Sequence, residues 1–279
     1  MSAEASDPRE RFAELARLPD AKIDLALAAL WIAAEEYPSL DVHAYLARLD
    51  ALAAAAAPRL AGSAPDAERA EGLLRFLFQE QGLHGDEKSY DDPRNSYLNE
   101  VLDRRTGIPI TLSLVLVEVA RRVGLALCGV SFPGHFLVKL DGPPLRVLDP
   151  FFGRVLELSE CRARLHAALG PDAVFEPERH LRAATPREIL VRMLTNLKHL
   201  HLRARDLGRT LACCERILLL TPDSPTELRD RGLVFEQLEC FAAAAQDLER
   251  FLQHAPDDET APAIRDRLRA LRARPLRLH

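Results

Sequence analysis

The chain has 279 residues, 48% hydrophobic and 28% charged, with a formal net charge of −5. These values describe one or two globular domains with a sizeable core and argue against a dedicated nucleic-acid binder. The five cysteines, Cys128, Cys161, Cys213, Cys214 and Cys240, are odd in number and form no C-x-x-C, which argues against a disulfide framework and a zinc site.

The N-terminal stretch MSAEASDPRERFAEL has acidic residues early and no apolar core of the kind a signal peptide needs. Helical periodicity follows. Ile23, Leu27, Leu30 and Ala34 recur at three- and four-residue steps until Pro38. Val42, Leu46, Leu49 and Leu52–Ala53 mark a second apolar face, broken by Pro58 and the run GSAPD. A third helix ends at Gly82, a residue suited to a left-handed cap. A polar run with a turn at Asp92-Pro93 leads to a short helix, NSYLNEVLDRR, expected to close at Gly107. The next helix, ITLSLVLVEVARRVG, is apolar almost all round, so it is expected to be buried. It is too short to span a bilayer and carries Glu118, either paired with a nearby Arg or a buried site carboxylate.

The pattern then turns to strands: LALCGVSFP, HFLVKL, LRVLDPFFG and RVLEL. Helices followed by strands imply α+β rather than an alternating parallel sheet. From Thr185 the chain is helical again, starting with a capping box of Thr185, Pro186 and Glu188. A repeat begins at Leu207 and again at Phe241: Glu215 matches Glu249, Arg216 matches Arg250, Leu218 matches Leu252, and Pro222-Asp223 matches Pro256-Asp257. A period of 34 residues is that of tetratricopeptide repeats. We expect a helical, strand-containing domain over residues 1–180 and a tetratricopeptide array over 181–279.

Asp141-Gly142 signals a tight turn, and 142 is midway between His135 and Asp149. A hairpin centred there sets the two opposite each other, about 4.5–5.5 Å apart at Cβ. That suits a carboxylate orienting an imidazole base. Pro143 and Pro144 widen the loop, so the register has room to slip. A packed histidine and a turn-forming Asp remain the plain alternative.

The stretch SYDDPRNSYLNEVLDRRTGIPITLSLVLVEVARRVGL, with GVSFPGHFLVKL and LDPFFG after it, closely resembles the transglutaminase-like domain of the bacterial SirB-one type. That family joins such a domain to C-terminal tetratricopeptide repeats, and the resemblance covers roughly residues 20–260. In the wider superfamily a Cys opens a buried helix, a His starts a strand and an Asp follows on the next. The resemblance places His135 and Asp149 in the last two positions and puts Pro109 in that of the Cys. Cys128 lies after the helix and does not match. Thr111 and Ser113 are the candidate substitutes, or else helix-start hydroxyls bonded to backbone. A pocket beside the pair is expected to be bordered by Phe132, Phe151 and Asn95.

Two readings follow. In the first, the chain is a non-catalytic, cytoplasmic interaction or regulatory module whose repeats take a protein or peptide, with no cofactor, metal, nucleic acid or membrane. In the second, it is a hydrolase or acyltransferase using Ser113 or Thr111 with His135 and Asp149.

Overall fold

The computed structural model describes residues 7–60, 64–140, 142–143 and 145–273. The break near 61–63 and Asp141 of the expected turn lie outside the described residues. The chain divides into two compact units, residues 1–193 and 194–279.

The first unit is a helical layer with a small sheet, the α+β class expected. Its helices begin α1 (Pro8–Ala16), α2 (Leu25–Glu36), α3 (Val42–Ala56) and α4 (Asp66–Arg75). Asp24 and Asp41 cap the second and third, accepting from Leu27 N at 2.9 Å and Ala44 N at 3.0 Å. After α4 the chain makes one π-helical turn, Phe76–Glu80, before Gly82 takes φ +74°.

Helix α5 (Leu98–Arg104) ends differently from expectation. Arg105, not Gly107, takes the left-handed conformation, with φ 57°. Gly107 instead joins a parallel pair of short strands, β1 (His84–Gly85) and β2 (Thr106–Gly107). It is needed there because a Cβ would stand 2.8 Å from Thr111 Oγ1 and 3.0 Å from Val101 Cγ2. Helix α6 (Pro109–Arg122) follows, and its residues from Pro109 to Leu116 are all buried. Glu118 is buried too, and its carboxylate holds Arg121 at 2.9 Å and also Arg122, so it is an ion-pair partner.

The sheet is antiparallel in chain order: β3 (Leu127–Val130), β4 (Leu137–Leu140), β5 (Val147–Asp149) and β6 (Arg154–Leu156). Val138 faces Leu148 and Lys139 faces Val147, which centres the β4–β5 hairpin on residue 143, one later than expected. Pro143 has no N–H to close a tight turn, and the loop closes instead through Leu140 N to Arg146 O at 3.0 Å. His135 therefore precedes β4 in a turn and is not opposite Asp149, against which the register sets Leu137. Below the sheet, Val130, Phe132, Leu137, Val147 and Leu156 pack with Cys161 and Leu165 of α7 (Leu158–Leu169). The one-turn helix α8 (Pro177–His180) leads to α9 (Pro186–Arg203), where Thr185 N donates to Glu188 at 2.9 Å and Glu188 N to Thr185 Oγ1 at 3.2 Å. This is the capping box read from sequence. The division between the units falls inside α9, at 193/194, whereas the sequence expectation was 180/181.

The second unit continues with α10 (Leu207–Leu220), α11 (Pro225–Gln237), α12 (Phe241–His254) and α13 (Ala261–Ala273). Arg205 and Glu239 lie one period apart and share the left-handed conformation, φ 57° and 60°, at the turn into α10 and α12. The core gathers Leu218, Leu228, Ala244, Leu248, Phe251, Ala261, Ile264 and Leu271. Lys198 is buried at 3% side-chain exposure and bonds Glu227 at 2.7 Å and Asp230 at 2.8 Å. Burial alone would lower its pKa, but these two carboxylates more than offset that and hold it above the ordinary lysine value.

Candidate functional site

Three elements of the first unit converge on one carboxylate. Asp149 ends β5 and is fully buried. Its Oδ1 accepts from His135 Nε2 at 3.0 Å and from Phe151 N at 3.1 Å, and its Oδ2 accepts from Arg164 of α7 at 2.5 Å. The bond to the backbone N–H two residues on comes from the turn Asp149-Pro150-Phe151. It fixes the carboxylate while β5 holds its backbone. A carboxylate this deep is sustained only by full compensation, and one guanidinium plus two N–H donors supply it.

This arrangement sets the orientation of the imidazole. Asp149 takes Nε2 on one oxygen and Arg164 on the other, so the ring is held with Nε2 toward the carboxylate and Nδ1 away from it. Among the described residues Nδ1 has no hydrogen-bond partner. The ring is 13% exposed. Phe152 stacks beside it at 6.4 Å between centroids and 15° between planes, and Phe151 meets it edge-on at 6.1 Å. Arg164 also lies over Phe152, 5.4 Å from the ring centre. Tyr90 meets Phe151 edge-on at 6.0 Å, and both Tyr90 and Phe152 are about half exposed. Burial raises the Tyr90 hydroxyl above its ordinary value, so it is a neutral donor at physiological pH. The arrangement is an oriented imidazole in an aromatic rim.

The sequence-selected residues form two groups. His135, Asp149 and Phe151 come together as described. Thr111 and Asn95 form the other: Thr111 Oγ1 donates to Asn95 O at 2.7 Å and accepts from Ile108 N at 3.2 Å, closing the start of α6. The Asn95 side chain is buried and bonds Asp86, Ser89 O and Arg104. Phe132 is fully buried in the core under the sheet and does not border an open pocket. Ser113 is fully buried within α6, and its hydroxyl bonds neither His135 nor any other described group. Pro109 is the first residue of α6, as expected for a residue lacking an N–H.

The thiols take no part in these contacts. Burial pushes Cys161 up to about 11 and Cys213 and Cys214 up to about 12, so all three are protonated at neutral pH. No group of three or more potential metal ligands occurs among the described residues.

Sequence reasoning missed Arg164 and Tyr90. Phe152 sits in the same LDPFFG run as Asp149 and was legible as a neighbour. Arg164 was not, because its place depends on how α7 packs on the sheet.

Residues 43–195 match the transglutaminase-like superfamily, and residues 197–269 match a tetratricopeptide repeat. A UPF0162 protein of Xylella fastidiosa is 40% identical over 264 residues, covering 91% of this chain and 92% of the relative. A UPF0162 protein of Pseudomonas aeruginosa is 38% identical over 252 residues, covering 90% and 91%. Protein SirB1 of Salmonella typhimurium is 28% identical over 246 residues, covering 88% and 90%. No solved structure matches the chain significantly.

Proposed function

The chain belongs to the transglutaminase-like superfamily, in its SirB-type branch with tetratricopeptide repeats, and on that premise we propose that it acts as a non-catalytic interaction or regulatory module. The observation that carries the reading is the company His135 keeps. Its partner nitrogen is taken by Asp149, and no hydroxyl or thiol among the described residues bonds its other nitrogen. Nucleophilic acyl transfer needs the attacking atom within hydrogen-bond reach of its base. Thr111 is spent on the backbone of Ile108 and Asn95, and Ser113 is sealed inside its helix.

In this reading the His135–Asp149–Arg164 cluster fixes the β4–β5 end of the sheet and offers one imidazole nitrogen to a bound partner. The repeats take a protein or peptide, as such arrays do. Among the described residues no helix is long and apolar enough to cross a membrane. We place the protein in the cytoplasm, a reading supported by its odd number of cysteines with no C-x-x-C.

The test is intact-mass spectrometry after incubation with an activated acyl ester, alongside His135→Ala. The expected result is no adduct on either protein. A stoichiometric acyl adduct on Ser113, Thr111 or a cysteine that His135→Ala abolishes would establish the hydrolase or acyltransferase reading instead.

A further inference from the structure

A second cavity in the first unit has features of its own. It has a volume of about 310 Å³ between α3 and the segments that lead into β1 and β2. Its floor is aliphatic: Ala51, Leu52 and Ala55 from one side, Leu83 and Leu102 from the other. Its polar wall is cationic or neutral, formed by Arg48, Gln81 and Arg105, with no carboxylate among the lining residues. The volume falls at the small end of ligand pockets.

The two guanidiniums are not equivalent. Arg48 is committed to Asp103, to Leu102 O at 2.8 Å and to the Tyr45 ring. Arg105 has no hydrogen bond or ion pair from its side chain among the described residues, and its Nη1 stands 4.0 Å from the position a Cβ would take on Gly82. Its backbone adopts a left-handed φ of 57°, which glycine would adopt at less cost. That backbone is held in place because its carbonyl accepts from His84 N at 2.9 Å.

The opposite wall is irregular as well. Gln81 follows the π-helical turn Phe76–Glu80 and donates its N–H to Phe76 O at 2.9 Å. Such turns persist mainly where they position something, because the regular helix is more stable. Here the extra residue sets Gln81 and Leu83 against the cavity. An aliphatic floor, an exposed guanidinium carried on a left-handed backbone and a helix distortion on the facing wall thus coincide.

We propose that this cavity binds a medium-chain aliphatic monocarboxylate, with the chain on the α3 alanines and leucines and the carboxylate on Arg105. A guanidinium favours a carboxylate through two parallel N–H bonds. At roughly 30 Å³ per non-hydrogen atom, by analogy with water, the cavity holds about ten such atoms, the size of octanoate. Strand β1, which follows Leu83, also touches the imidazole site: Gly85 N donates to Phe151 O at 3.2 Å, and a Cβ on Gly85 would stand 2.5 Å from the Phe151 ring. The proposal does not depend on whether His135 is catalytic.

Isothermal titration of the full chain with octanoate and with 1-octanol tests it. Octanoate binds saturably, with 1-octanol at least tenfold weaker. Arg105→Gln brings octanoate down to the level of 1-octanol. Ala55→Trp, at an exposed position that tolerates bulk, removes both. Equal octanoate affinity in Arg105→Gln and the parent, or no saturable binding to the parent, overturns the proposal.

Discussion

Each unit of this protein holds a buried charge between two partners, Lys198 in one and Asp149 in the other, and these two solutions differ in one respect. In the second unit Lys198 is enclosed by Glu227 and Asp230, and all three act within the array. In the first unit Asp149 is enclosed by Arg164 and His135, but His135 keeps one nitrogen uncommitted among the described residues, in a rim of half-exposed aromatic rings. The same electrostatic device is closed on all sides in one place and, on the proposed reading, presents a group in the other. Burial and pairing alone do not mark a functional site; in the reading proposed above, the uncommitted imidazole nitrogen is what sets the Asp149 cluster apart.

The sharpest way to break the comparison is Lys198→Met. It leaves Glu227 buried without its cation, and we expect a loss of about 3–5 kcal/mol, read from urea unfolding. Asp149→Asn strands Arg164 instead. At 24% side-chain exposure that guanidinium can turn toward water, so the expected loss is smaller, about 2–3 kcal/mol by the same measurement. His135→Ala leaves the Asp149–Arg164 pair intact and costs about 1 kcal/mol or less, while removing whatever partner contact Nδ1 makes. A loss from His135→Ala as large as that from Lys198→Met would mean that the first cluster is a lock as well. Glu239→Gly relieves a left-handed non-glycine residue and stabilises by about 0.5 kcal/mol after the entropy of glycine is counted.

The smallest effect separates a third use of charge. Backbone hydrogen bonding from Ser89 holds the Asp86 carboxyl below its ordinary value of 3.8. Its contribution is therefore complete above that value and is lost as pH falls through the lower folded value. The urea midpoints of the parent and Asp86→Asn should differ at neutral pH and converge below pH 3.8.

What the sequence disclosed follows from how local each signal is. The capping box at Thr185–Glu188 and the 34-residue period are written in adjacent residues and fixed spacings, and the structure repeats them in the reciprocal bonds of Thr185 and in the matched backbones of Arg205 and Glu239. The pairing of His135 with Asp149 was reached through a hairpin centre that proved one residue off, because Pro143 rules out the tight turn assumed. The imidazole reaches the carboxylate from a turn and not from a strand. Arg164 was invisible because it depends on how α7 packs, and Phe132 was misplaced because a turn residue's side chain can point inward as well as out.

Lys198 has a further consequence. One period on, its position is Gly232, where a Cβ would stand 2.8 Å from Leu248. Its acid partners Glu227 and Asp230 become the buried Ala261 and Ile264. The two helix junctions are therefore keyed by opposite chemistry, one ionic and one aliphatic. A tandem copy of the first segment would set Lys198 against the equivalents of Met193 and Asn196, with no acid, and a copy of the second would set Gly232 against the equivalents of Glu227 and Asp230, with no cation. The residue at this one helical position, lysine in one turn of the array and glycine in the next, therefore goes with what the following helix presents to it.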